Sequence, residues 1–220
     1  MEAYREEARR KLLPEGYSGY WHLGQLFVGC LLVCLVCGAS LESVTPVEWV
    51  TVPLMFLLGN GYEYAIHRYP GHFRFKFFTW FFKSHTGLHH RFYTYEHMQP
   101  SDTTDWYFTL FPNRVYASVI GLFSLVVFPI CRILLTANAF HLAMIMAAVN
   151  LAVYELFHSF HHCSLPPRLQ YFLDSLPCAE LIRRHHRLHH HPRLMIKKNF
   201  NITFPIFDWI CGTLATSLPS

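Results

Sequence analysis

The 16 histidines of this 220-residue chain are unevenly spread: HTGLHH fills 85–90, HSFHH 158–162 and HHRLHHH 185–191, with His67 and His72 a looser pair upstream. At neutral pH most imidazoles are uncharged and offer a nitrogen lone pair, so clustered histidines suggest metal ligation before they suggest positive charge. Spacing supports that chemistry. On a helix, residues three and four apart share a face, so His85 with His89, His158 with His162, and His186 with His190 can each aim two nitrogens at one point. The adjacent histidine of each cluster is turned about 100° around the axis and could serve a neighbouring ion. Pro70-Gly71 breaks the helix after His67, which lets His72 turn back toward the same site. A zinc site uses about four protein ligands. The clusters offer His67, His72, His85, His89, His90, His158, His161, His162, His186, His189 and His190, so two metal ions are the economical reading. Imidazole suits zinc, copper, iron and nickel alike. An iron–sulfur cluster would need thiolates, in which these segments are poor.

Other residues are weaker candidates. His22, His97 and His141 lack ligand-spaced neighbours and read as surface or satisfied core residues. Arg183, Arg184, Arg187 and Arg193 are interleaved with the last cluster, which could instead touch anionic headgroups, but that cannot explain the groups at 67 and 158. Glu63, one turn before His67, and Glu155, three residues before His158, are candidate outer partners, since metal-bound histidines give their other N–H to a carboxylate or carbonyl. Capping a polar helix end explains each acid equally well. Asp102, Asp105, Asp174 and Asp208 are further acids that nothing in the sequence singles out. The seven cysteines are scattered. Cys34 and Cys37 form a C-x-x-C, but among apolar neighbours they read as helix-surface thiols rather than as a redox pair or part of a disulfide framework.

The elements that must position these histidines are apolar. Hydrophobic residues make up 52% and charged ones 15%, against roughly 25% charged in soluble domains. Four stretches approach the roughly 20 apolar residues that span a bilayer as a helix: Trp21 to Ser40, Val47 to Ile66, Val115 to Leu135 and Ala139 to Phe157. The second ends on Asn60 and Glu63, which suggests that it leaves lipid for a protein interior. The third contains Pro129, which a membrane helix tolerates as a kink. Residues 1–20 form a polar N-terminal segment with a short helix ending at Pro14 and no apolar stretch of the kind a cleaved signal has; residues 21–220 form one membrane domain.

Counting crossings carries every histidine cluster to one side, together with 17 of the 18 Lys and Arg residues, Arg132 alone lying opposite. By the positive-inside rule that side is cytosolic. The formal glycosylation sequon at Asn201 would then stay unmodified. The modest net charge is no nucleic-acid signature. FRFKFFTWFFK at 73–83 interleaves aromatics with cations, and reads as a helix lying in the headgroup layer, where it would form an interfacial entrance for an acyl chain. The expected fold is thus all-α and integral to the membrane, with four transmembrane helices and a cytosolic His-rich helical cap.

With these residues in view, the chain resembles the fatty acid hydroxylase and sterol desaturase superfamily over roughly residues 47 to 215. EYAIHRYPGH, HTGLHHRFYTYEHM, HSFHH and HHRLHHH match its histidine boxes in order and separation, and NFNITFPIFDWICGTL looks like its C-terminal strip. GYEYAIHR and HHRFYTYEHM are most similar to the fatty acid 2-hydroxylase branch, although the cytochrome b5 domain that several of those members carry is missing from this chain. The resemblance implies that the eleven box histidines hold two iron ions, with zinc able to occupy the sites in a purified protein. It leaves open whether His161 or His162 is the ligand, and whether His185 replaces His186.

The implied activity is an O2-dependent monooxygenase, a lipid hydroxylase acting on a fatty acyl or ceramide-type chain. The partners are a membrane lipid substrate and a separate electron donor such as cytochrome b5 or ferredoxin with its reductase. The implied location is the endoplasmic reticulum of a eukaryote or a bacterial inner membrane. Two alternatives stand beside this reading: a sterol or other lipid desaturase or methyl oxidase, and a non-catalytic zinc-binding or transport membrane protein. The last should carry polar groups at mid-membrane, where the spans offer only His141, Asn150 and a few hydroxyls.

Overall fold

The computed structural model describes residues 1–219 except Leu135, Cys163 and Ser164, and omits the side chains of Phe123, Val127, Phe128 and residues 131–134. The end of the third expected span, with the Arg132 side chain, lies outside the described residues. Among the described residues all regular structure is helical, apart from a single antiparallel bridge between Thr94 and His97. Contacts divide the chain into two compact units, one of Met1–Gly19, Asn60–Leu110 and Leu156–Ser220, the other of Tyr20–Gly59 and Phe111–Glu155.

The second unit holds α2 (Gly19–Ala39), the first half of α3 (Thr51–Arg68), α6 (Asn113–Leu134) and most of α7 (Ala137–His161). Among the described residues three stretches are long and apolar enough to cross a membrane: Gly19–Ala39, Thr103–Val126, which takes in the first part of α6, and Ala137–His161. Val28, Leu31, Leu32, Leu35 and Val36 are exposed along α2, an apolar face larger than water tolerates. The Asn150 amide donates to the Met55 carbonyl (3.1 Å), and Gly59 leaves room for that side chain, since a β-carbon there would lie 2.2 Å from the Asn150 nitrogen. Glu155 accepts from the Tyr116 hydroxyl and the Phe111 amide.

The expected second span is α3, which is not among the three. Its C-terminal half carries Asn60, Glu63, His67 and Arg68, and Asn60, Tyr64 and His67 are buried in protein. That half belongs to the first unit, as does every histidine of the clusters.

The first unit includes the N-terminal helix α1 (Glu2–Leu12). Ala8 packs with Phe92, Tyr93 and Phe108, and the buried Arg5 guanidinium donates to the carbonyls of Phe92 (2.8 Å) and His97 (2.9 Å). Arg9 pairs with Asp105 through two bonds of 2.7 and 2.9 Å. Such paired, charge-assisted bonds are the strong ones.

The aromatic stretch at 73–83 is helical only in its last part, within α4 (Thr79–Ser84). Phe73, Phe75, Phe77, Phe78 and Trp80 are exposed, with Phe77 at 84%. A continuous helix would have buried one face of this run, whereas the irregular segment presents nearly all its rings outward. The sequon asparagine Asn201 is 1% exposed and its amide nitrogen donates to the Asn60 carbonyl (3.0 Å), so folding alone shields it.

Candidate metal centre

Five elements of the first unit deliver the histidines. His67 lies in the last turn of α3; His72 follows the Pro70-Gly71 turn; His85–His89 form one turn of π-helix continued by α5 (His90–Phe92); His158 and His161 end α7; and α9 (Ala179–His189) supplies the last cluster. The Gly71 amide bonds back to the Ile66 carbonyl (3.0 Å), which folds the chain so that the His72 and His67 rings come within 5.2 Å. A β-carbon at Gly71 would sit 2.2 Å from the His67 carbonyl oxygen. Gly71→Ala is therefore expected to displace this turn at about 1–3 kcal/mol, read as a lower thermal midpoint and reduced metal content of the purified protein.

Among the described residues two groups of buried side chains emerge, each with one nitrogen per residue and all nitrogens within 4.8 Å of one another: His67, His72, His85, His90 and His189, and separately His89, His158, His162 and His186. Each could hold a metal ion. The π turn decides the sorting. An α-helix would have paired His85 with His89, but i→i+5 geometry brings the Nε2 atoms of His85 and His90 to 3.0 Å and sends His89 toward His158, 3.3 Å away.

The outer nitrogens reveal the protonation pattern, because a carbonyl can only accept. His89 donates from Nδ1 to the Phe108 carbonyl (2.8 Å), His162 to Met98 (2.9 Å), His189 to Lys198 (2.9 Å), His190 to Tyr93 (2.7 Å) and His67 to Phe200. The Thr86 hydroxyl proton goes to the Gly71 carbonyl (2.6 Å), so its oxygen accepts from His72 Nδ1 (3.1 Å). In a neutral imidazole the other nitrogen is then a bare lone pair. Yet His72 Nε2 and His189 Nε2, both bare, face each other at 3.1 Å, and the buried His67 Nε2 has no hydrogen-bond partner.

Protonation does not relieve this crowding. Loss of hydration, helped by repulsion from His189 and His89, pushes His72 down to about 2, and burial pushes His89 down to about 4. The same causes hold His85, His90, His162, His186, His189 and His190 well below the usual imidazole range. Converging lone pairs in a dry interior call for a cation. Two nitrogens about 2.1 Å from one ion stand about 3.0–3.4 Å apart at angles of 90–109°, which matches the 3.0–3.3 Å separations here. The residues therefore fit metal ions at both groups.

Two of the eleven sequence candidates stand outside these groups. His161 turns Nε2 to the Ile202 carbonyl (2.8 Å) and stacks on His186 at 4.8 Å, so His162 is the inward residue of its pair. His190 lies between the groups, its Nε2 3.1 Å from His186 and its ring 4.2 Å from His90. In the last cluster His186 points inward, while His185 donates to the Asn201 carbonyl (3.1 Å) and lies 3.4 Å from Asp208. Glu63 binds the Ile202 and Thr203 amides rather than His67.

Sequence reasoning missed the outer partners, which are main-chain carbonyls and carry no residue signature. Arg5 gave no signal beyond its place in a polar helix. Asp208 lies in the aromatic-Asp-aromatic segment, but its task shows only in the fold. Burial works against its charge, yet bonds from His185, Thr213 and the Asn201 and Phe200 amides outweigh that and hold its carboxyl below the usual range. Set against models of known protein families, curated proteins and solved structures, the chain matches none.

Proposed function

We propose that the protein is a membrane-embedded, di-iron, O2-dependent lipid hydroxylase acting on a fatty acyl chain. The observation that carries this reading is the pair of adjacent groups of buried neutral imidazoles with facing lone pairs. An iron pair bound there supplies O2 chemistry, so that a C–H bond, O2, two electrons and two protons become a C–OH and water. His67, His72, His85, His90 and His189 would hold one ion and His89, His158, His162 and His186 the other, with His190 between them.

The chain's own work is to bind and to exclude water. Carbonyl acceptors fix the tautomers of His67, His89, His162 and His189, and the Thr86 hydroxyl that of His72, while the histidines of both groups are at most 7% exposed. The outward rings of Phe73, Phe75, Phe77, Phe78 and Trp80, beside Arg74 and Lys76, suit a headgroup layer where a lipid substrate would be met. Four spans with the histidines on the cytosolic side belong to this proposal, as do an external electron donor and a location in the endoplasmic reticulum or a bacterial inner membrane.

The test is lipid analysis of a host expressing the wild type against a His89→Ala, His90→Ala variant, which removes one residue from each group. The wild type alone is expected to yield a lipid heavier by one oxygen. A lipid lighter by two hydrogens would assign the site to desaturation instead. No difference at all would leave the non-catalytic zinc reading, which imidazole chemistry fits as well.

A further inference from the structure

The carbonyls that orient the two groups come from two different stretches of backbone. In the first group, His67 and His189 donate to the carbonyls of Phe200 and Lys198. In the second, His89 and His162 donate to those of Phe108 and Met98.

The stretch serving the first group, residues 198–203, is no regular element, and side chains hold it in place. It begins at Asn199, a left-handed residue (φ 59°) whose side chain bonds to the main chain at His185 (3.0 Å) and Ala215 (2.7 and 2.9 Å). Asp208 accepts from the amides of Phe200 (2.9 Å) and Asn201 (2.8 Å) and from the Thr213 hydroxyl (2.7 Å). Glu63 accepts from the amides of Ile202 and Thr203 (3.0 Å) and from the Thr203 hydroxyl (2.7 Å). Four consecutive amides thus end on two carboxylates, while carbonyls 198 and 200 face imidazoles of the first group and carbonyls 201 and 202 face His185 and His161, which lie in neither group.

We infer that Glu63 and Asp208 are positioning residues for one metal position, that of His67, His72, His85, His90 and His189, and leave the other position unaffected. This rests on the reading of the two histidine groups as metal positions. A carboxylate that fixes the strip fixes where the Phe200 and Lys198 oxygens stand. Those oxygens keep the proton of His67 and His189 on Nδ1 and the lone pair on Nε2. When the strip loosens, the two nitrogens can exchange roles and the rings can turn. Loss of such an outer partner typically weakens metal binding about 10–100-fold. The second group draws its carbonyls from elsewhere, so it should not share the loss.

The experiment is zinc(II) titration of the full chain, solubilised in detergent and stripped with chelator, with metal content measured alongside. The wild type is expected to show two tight positions. In Glu63→Gln and Asp208→Asn one should weaken about 10–100-fold and the other stay within about twofold. Thr203→Val, which removes the hydroxyl bond to Glu63 and the one that hydroxyl accepts from the Asn60 amide but leaves both amide bonds to Glu63, should weaken the same position less. Adding His67→Ala to Glu63→Gln should cost nothing more at the other position, whereas adding His162→Ala should compromise both.

Weakening of both positions together, or of neither, overturns the inference. If Asp208→Asn does not fold, Glu63→Gln and Thr203→Val decide the question from the other end of the strip. A wild type that binds no zinc would end the metal reading itself, whereas unchanged variants of a two-zinc wild type would end this inference alone.

Discussion

Alanine at His189 is expected to abolish one metal position and, with it, any oxygenated product, while the other position still binds. His189 is fully buried, its Nδ1 is committed to the Lys198 carbonyl (2.9 Å), and its Nε2 stands 3.1 Å from that of His72 and 3.2 Å from that of His90. No water can replace it without a path through packed protein, and its neighbours are already turned inward. Removing a direct donor should therefore cost more than the about 10–100-fold typical of losing an outer partner. Elemental analysis of purified protein should show about half the wild-type metal, since one of two positions is lost. His191→Ala provides the contrast: its ring packs on Tyr95 at 5.0 Å rather than in either group, and both metal content and product should stay at wild-type levels. Equal loss in both variants would refute the assignment.

The second large effect is acid sensitivity of chelator-treated protein. Burial holds His85, His90, His162, His186, His189 and His190 well below their usual values, with His89 at about 4 and His72 at about 2. In the unfolded chain each takes up a proton near pH 6.5. Below that pH the unfolded state binds more protons than the folded one, so stability falls as pH falls. The contribution of a neutral histidine is whole above about pH 6.5 and is lost progressively as pH drops toward its folded value. Between pH 6.5 and 5 a histidine held at about 4 or below, as His89 and His72 are, withdraws about 2 kcal/mol. Several acting together approach the whole stability of a domain, about 5–15 kcal/mol. The stripped protein should therefore unfold between pH 6 and 5, while metal-loaded protein survives to lower pH because protons must first displace the ion. Thermal midpoints at pH 8, 7, 6 and 5, with and without zinc, check this. A flat profile for the stripped protein would contradict a neutral buried cluster.

The helices and the convergence of the histidines were legible because both rest on periodicity: long apolar runs at α2 and α7, and ligand spacing at 158–162 and 186–190. Their sorting was not. Reading 85–90 as an α-helix pairs His85 with His89, whereas the π turn pairs His85 with His90. Nothing in HTGLHH marks the extra residue in the turn. Likewise HSFHH cannot tell His161 from His162, since that depends on the Ile202 carbonyl, supplied from 41 residues away. The polarity of α3 beyond Asn60 was visible, and it explains why this helix is less apolar than a span. That α1 would pack against Phe92 was not visible, because Arg5 looks solvent-bound until it meets two carbonyls.

The π turn also changes how a residue-by-residue scan of 85–90 should be interpreted. His89 and His90 are consecutive letters, yet they serve different groups. Stepping an alanine along this helix would therefore sound the two histidine groups alternately, and the phenotypes would not follow a single helical stripe. A residue lost between His85 and His89 would restore ordinary α phasing with His85 and His90 then four apart, so the donors downstream would keep their faces and here a change of length would disturb less than a change of side chain.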